Sequence, residues 1–390
     1  MYQFFSVSTE GGSRDPAIKL EKRFINYLIS FPFARQQREG GNDDEDKVQQ
    51  RRALLDVERI SHQERERKRH ARQRYVERIS EELHSEVHRR VLLAIDDPES
   101  IRTKVVPMPE NLPALLDTVS LRAASMAKIE ALACDLDWFR DGLVRVVNNP
   151  PFVNRRKDKQ MRLENLRVAM SFVGSENLRV LTPAFALQNW LPPATQPFTL
   201  FRRKVWEHSL QTAILSQAVA EQMSLRDPVL AYTMGMFHEL GKIALTKLYL
   251  RIFDEVQREQ ALATINDHSP DRHNAIQKLI PDEQFLRDLM LALDKRVSYL
   301  TVQGWHLERL PISEHLLSYT QNQHIDDMSN YAKALAQANA YSEYRMLKQV
   351  DLVDKEDAAQ LFKRYQISAE QISQLKHVNL KRPRMVSVDD

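Results

Sequence analysis

The sequence predicts an all-α protein. Leu, Ala, Arg, Gln and Glu dominate its 390 residues, glycine occurs only 9 times, and alternating β-branched runs bounded by turn residues are nearly absent. Long proline-free stretches with apolar residues three and four apart complete the case. The expected architecture is a compact multi-helix domain with a long, charged helical extension at its N-terminus.

The order of elements follows from local signals. In residues 1–36, "AIKLEKRFINYLI" places Leu20, Phe24, Tyr27 and Leu28 on one helical face, which needs a surface to cover it. "REGGNDDED" joins paired glycines to an acidic run, so residues 37–46 read as a flexible acidic linker. No proline interrupts Lys47–Ile95, which predicts one long helix or two nearly continuous ones. Leu55 and Ile60, then Val76, Ile79, Leu83 and Val87, form apolar stripes toward its ends, whereas 61–74 offers only Ala71 for burial.

Four prolines in "PESIRTKVVPMPENLP" at 98–113 suggest the main boundary, with the long helix and this linker together filling 47–103. The principal domain then spans 104–345, and 346–390 holds C-terminal helices and a tail. Inside that domain, Asp227 is the expected N-cap of a helix with Pro228 in its first turn and Gly241 as its C-terminal stop. Gly174 and "NNPPF" are breakers, and Ser368 with Gln371 forms a capping-box pattern.

Composition narrows the function classes. The net charge of +3 is small for this length, so any attraction to an anionic partner must be local. Arg65, Arg67, Lys68, Arg69, Arg72 and Arg74 are such a local concentration and raise nucleic acid, or an acidic membrane surface, as a partner for 47–93. Glu64 and Glu66 stand four residues before Lys68 and His70, a mixed-sign pattern that favours a solvated or partner-binding helix over nucleic acid. Self-association through the N-terminal helices is the related expectation. The single cysteine, Cys134, excludes an internal disulfide and a multi-cysteine zinc site, fits a reducing cytoplasm, and is expected to be a buried small residue. Pro32 breaks the apolar run "FINYLISFPF", which is too short for a membrane span, and "MYQFFSVSTE" lacks the parts of a signal peptide. A cytoplasmic location is the expectation.

No glycine-rich phosphate loop or nucleophile elbow occurs. Trp138, Phe139, Trp190, Trp206, Trp305 and Tyr319 fall at spacings that predict core rather than a ligand pocket. Chemistry points instead to His208 in "WEHSL" and to the adjacent His238 and Glu239 in "FHELGKIAL". Two imidazoles and a carboxylate suit a divalent ion if their helices pack antiparallel, and hydrogen-bonded core histidines are the competing reading.

The blocks "WEHSLQTAILSQAVAEQ", "AYTMGMFHELGKIAL" and "VSYLTVQGWHLERLPISEHL" resemble the HDOD family, the HD-related output domain of bacterial signalling proteins. "LPALLDTVSL", "LVRVVNNPPF" and "RLENLRVAMSFVGSENLRVL" match its first half in order, so the resemblance covers roughly 107–345. It implies descent from phosphohydrolases whose metal ions are held by a histidine, a His-Asp doublet and a distant aspartate. His208 and His238 match the two histidines. Glu239 stands in place of the doublet aspartate, Asn339 is the nearest match to the distant one, and Lys242 follows Gly241 as in the family motif. The lysine is a phosphate contact or a helix C-cap in the two readings of that motif.

An amide cannot supply the charge an aspartate gives a metal. The expectation is thus a vestigial metal site, no resident cofactor, and a regulatory protein that acts through protein partners. A metal-dependent hydrolase of a nucleotide or cyclic dinucleotide is the alternative.

Overall fold

The computed structural model of the chain describes residues 16–39, 56–121, 124–149, 163–266 and 268–385, and among them every regular element is helical. Helices α1 (Pro16–Ile29) and α2 (Phe31–Glu39) precede the 40-residue α3 (Asp56–Ile95). A short α4 (Pro98–Ser100) runs into a π-helical turn at Ile101–Val105. Next come α5 (Leu112–Val119), α6 (Met126–Ala133), α7 (Asp137–Val147), α8 (Leu166–Val173) and α9 (Ser175–Trp190). The middle of the chain forms α10 (Phe201–Gln222), α11 (Pro228–Phe237) and α12 (Leu240–Asn266). The remainder forms α13 (Pro270–Gln277), α14 (Glu283–Gln303), α15 (Ile312–Gln321), α16 (Asn330–Lys348), α17 (Lys355–Arg364) and α18 (Ala369–Lys376).

Local chemistry sets most helix ends. Asp227 accepts from the Val229 N–H, with Pro228 in the first turn of α11, and Ser368 accepts from the Gln371 N–H at the start of α18. Gly174, at φ 83°, ends α8 in a conformation that L side chains avoid. Gly241 does not stop a helix. The break comes earlier, after Phe237, and Gly241 lies in the first turn of α12 because α14 crosses there: a Cβ on it would stand 1.9 Å from the Asp294 carbonyl oxygen. His238 and Glu239 consequently occupy the joint between α11 and α12.

Helix α10 packs on α11 and α16, and α12 packs on α14. At the first of these crossings Gly235 again permits close approach, since its Cβ would lie 2.5 Å from the Ala213 Cα. The C-terminal half of α3 buries Ile79, Leu83, Val87 and Val91, and the helix packs on α12 and α13. Its basic stretch 65–74 is exposed apart from Glu66, which pairs with Arg69 at 3.9 Å and His70 at 3.6 Å. Such exposed pairs contribute at most about 1 kcal/mol each.

The amphipathic face of α1 finds its partner in the same chain. Leu20, Phe24, Tyr27 and Leu28 are buried as α1 packs on α10, α14, α16 and α17. Arg23 pins the outer side, pairing with Asp357 at 2.5 Å and donating to the Leu352 carbonyl at 2.9 Å. The apolar face of α1 is therefore covered within the chain. Phe24→Leu, which keeps the site apolar but removes the ring, is expected to lower stability by about 1 kcal/mol in urea titrations.

Three further expectations are corrected. Helix α2 extends to Glu39, into the expected linker 37–46, because Phe33 and Ala34 anchor it. The 98–113 stretch is not an open linker, since Ile101, Val105, Val106 and Leu112 are buried and the π-helical turn packs on α12. Cys134 is exposed beyond the end of α6, its thiol donating to the Ala131 carbonyl at 3.2 Å. Residues 40–46 of the linker, 47–55 of the long helix, 150–152 of "NNPPF" and the last five residues of the tail lie outside the described residues, as does the side chain of Ile60.

Candidate functional site

The helices bring the sequence-predicted residues together. His208 projects from the middle of α10, His238 and Glu239 from the α11–α12 joint, and Asn339 from α16. Ligand atoms of His208, His238 and Glu239 all lie within 4.8 Å of one another. Glu239 Oε1 is 3.5 Å from His208 Nε2 and 3.2 Å from His238 Nε2. Asn339 Oδ1 stands 2.9 Å and 3.1 Å from the same two nitrogens.

The remaining ring nitrogens are fixed by neighbours. His238 Nδ1–H donates to the Gly235 carbonyl at 2.7 Å, and His208 Nδ1 meets the Ser342 hydroxyl at 3.0 Å. With its proton on Nδ1, a neutral His238 offers a lone pair at Nε2, to which a turned-over Asn339 amide donates from its nitrogen. The amide oxygen accepts only from a ring nitrogen that carries a proton. In both orientations Asn339 ties the rings together without adding charge. Its other end meets Glu343 Oε1 at 3.0 Å and the Tyr319 hydroxyl at 3.4 Å.

Within the cluster one ammonium offsets part of the charge of two carboxylates. Lys242 is neither a helix C-cap nor a free phosphate contact: its ammonium is buried, donating to Glu239 Oε1 at 2.8 Å and pairing with Asp294 Oδ2 at 2.5 Å. Burial disfavours that ammonium, but Asp294 and Glu239 outweigh it and raise its pKa above the lysine value. Burial likewise pushes Glu239 up, yet Lys242 and the two imidazoles hold it well below the usual carboxylate range. Desolvation lowers His208 to about 4, so the ring is neutral at pH 7. Burial and then the nearby Glu21 carboxylate raise Glu343 to about 8, leaving it mostly protonated.

Helix α1 closes the site from outside. The Phe24 ring lies 4.6 Å from that of His208, and Glu21 pairs with Lys295 of α14 at 3.2 Å. His208, His238, Glu239 and Lys242 are all buried.

A divalent ion of the kind the sequence pattern implies can be tested against these contacts. Three donors converge, and Glu239 Oε2 is buried without a hydrogen-bond partner. The lysine opposes it. The Lys242 ammonium already shares Glu239 Oε1, and an added cation 4 Å from it would meet repulsion of about 4 kcal/mol per unit of its charge at an effective dielectric of about 20. With Asn339 neutral and Asp294 engaged by Lys242, these residues do not fit a catalytic divalent ion.

Sequence reasoning missed Asp294, Glu343, Ser342 and Phe24 as parts of the site. Asp294 carried a signal: Met290, Asp294, Val297 and Ser298 are spaced on one buried stripe of α14, where a carboxylate requires a partner. Glu343 similarly interrupts the buried stripe containing Ala336, Ala340 and Leu347 on α16.

The profile described as the HDOD domain matches residues 108–307. A solved structure from Shewanella amazonensis, provisionally named a phosphohydrolase, is 16% identical, with 74% of this chain and 94% of that one covered at a TM-score of 0.45. An HDOD domain protein of unknown function from Geobacter sulfurreducens is 15% identical, with 74% and 93% covered at a TM-score of 0.43. No curated protein matches the chain.

Proposed function

The chain belongs to the HDOD domain family, and on that premise we propose that it is a non-catalytic regulatory protein of a signalling pathway, working through protein contacts, with its HD-type metal site reduced to a packing element. The position of Lys242 carries this reading. Its ammonium, held between the Glu239 and Asp294 carboxylates, occupies the charge environment that a metal ion would need. Two further observations support it: Asn339 stands where a charged ligand is required, and Phe24 covers the His208 ring that a substrate would have to approach. Without an ion to lower the pKa of water and neutralise phosphoryl oxygens, the buried histidines serve to join α10, the α11–α12 joint and α16. The exposed, charged stretch 65–74 of α3 is a surface available to a protein partner.

A phosphodiesterase assay with bis-p-nitrophenyl phosphate and Mn²⁺ tests the absence of catalysis. The full-length protein is expected to give no more turnover than His208→Ala/His238→Ala. Metal-dependent turnover abolished by that double substitution would instead establish the hydrolase alternative.

A further inference from the structure

A second site lies along α12, sharing no lining residue with the histidine cluster. Lys247, Leu250, Arg251 and Asp254 recur three and four residues apart and floor a groove of about 510 Å³. Its walls are Lys104 of the π-helical turn, the 193–196 segment after α9, and Leu279–Pro281 before α14. This volume lies within the range of about 300–1,000 Å³ characteristic of small-molecule sites.

The lining is both cationic and apolar. Lys104, Lys247 and Arg251 face a single lining carboxylate, Asp254. Lys247 is half-buried, and among the described residues no hydrogen bond or ion pair engages its ammonium. Burial alone pushes its pKa down. Arg251 donates to the Lys104 carbonyl at 3.5 Å, and its buried Nε has only the Glu255 carboxylate, 3.7 Å away and beyond hydrogen-bond length. A desolvated ammonium and an incompletely bonded guanidinium beside one opening are the groups a bound anion would satisfy. The same lining holds Ile280, which is 62% exposed, and half-buried Leu250 and Leu279. Bare apolar surface beside an unengaged ammonium and a loosely paired guanidinium suits a molecule with a multiply charged anionic group and a ring, rather than a simple inorganic ion.

We propose that the α12 groove is an effector site for a phosphate ester of nucleotide size, its phosphates seated on Lys104, Lys247 and Arg251 and its ring on Leu250 and Ile280. Such a site would give the protein a small-molecule input that does not depend on the histidine cluster.

Isothermal titration of the full-length protein with ADP, GDP and pyrophosphate tests this directly. At least one nucleotide is expected to bind saturably, and Lys247→Met or Arg251→Met, checked for native circular dichroism, is expected to weaken it by about tenfold or more. Ile280→Ser is expected to weaken the nucleotide but leave pyrophosphate unchanged. No saturable binding of either nucleotide up to about 1 mM, or affinity unchanged in both cation variants, would overturn the site. Pyrophosphate binding as tightly as the nucleotides, with Ile280→Ser silent, would overturn the assignment of a ring-bearing ligand.

Discussion

Lys242→Met is expected to lower the unfolding free energy by about 3–5 kcal/mol, the cost of leaving buried carboxylates without their partner. The ammonium contacts both Glu239 and Asp294, so its removal exposes two like charges to each other in a buried site. Urea titration at pH 7 measures the loss. Glu239 is held below its ordinary pKa, so its stabilisation is present above about pH 4.3 and is lost as pH falls through the folded value. The variant loses the largest influence lowering that pKa, and the two proteins should therefore converge in stability on acidification. Neutralising the whole group in Glu239→Gln/Lys242→Met/Asp294→Asn is expected to recover most of the loss at pH 7. A triple variant no more stable than Lys242→Met would show that packing of the lysine stem, rather than its charge, dominates.

Gly241→Ala is expected to destabilise by about 3 kcal/mol, near the upper end for overpacking. Its Cβ would meet the Asp294 carbonyl oxygen at 1.9 Å, and backbone on a packed helix cannot turn aside. Relief requires α14 to move away from α12, which would also stretch the Lys242–Asp294 pair and the 2.8 Å hydrogen bond from the Gly241 N–H to Ser298 Oγ. Gly142→Ala is the comparison: the atoms nearest the added Cβ belong to the Phe185 ring, at 3.0–3.1 Å, and a ring can shift. Its expected cost is about 1 kcal/mol. Equal losses in thermal unfolding of the two variants would contradict the close backbone approach as the reason for glycine at 241.

Features legible in the sequence were those set within a few residues or by ordered motifs. Asp227, Pro228 and Ser368 marked helix starts because capping is local hydrogen bonding. The order of the histidine blocks identified His208, His238, Glu239 and Asn339, and those side chains do converge. What escaped was set by distances between helices. Gly241 read as a stop because glycine commonly ends helices, whereas its requirement comes from Asp294 on another helix. Lys242 read as a cap or phosphate contact for the same reason, its partner lying 52 positions away. The face of α1 announced that it needed cover, but periodicity carries no address for the surface that supplies it.

The most direct test of a site whose resident cation is lysine is the metal content of the native protein, purified without chelators or a metal-binding tag and compared with His208→Ala/His238→Ala by mass spectrometry. The structure predicts the same trace level of divalent metal in both. Close to one equivalent per chain in the native protein, lost in the double variant, would contradict it.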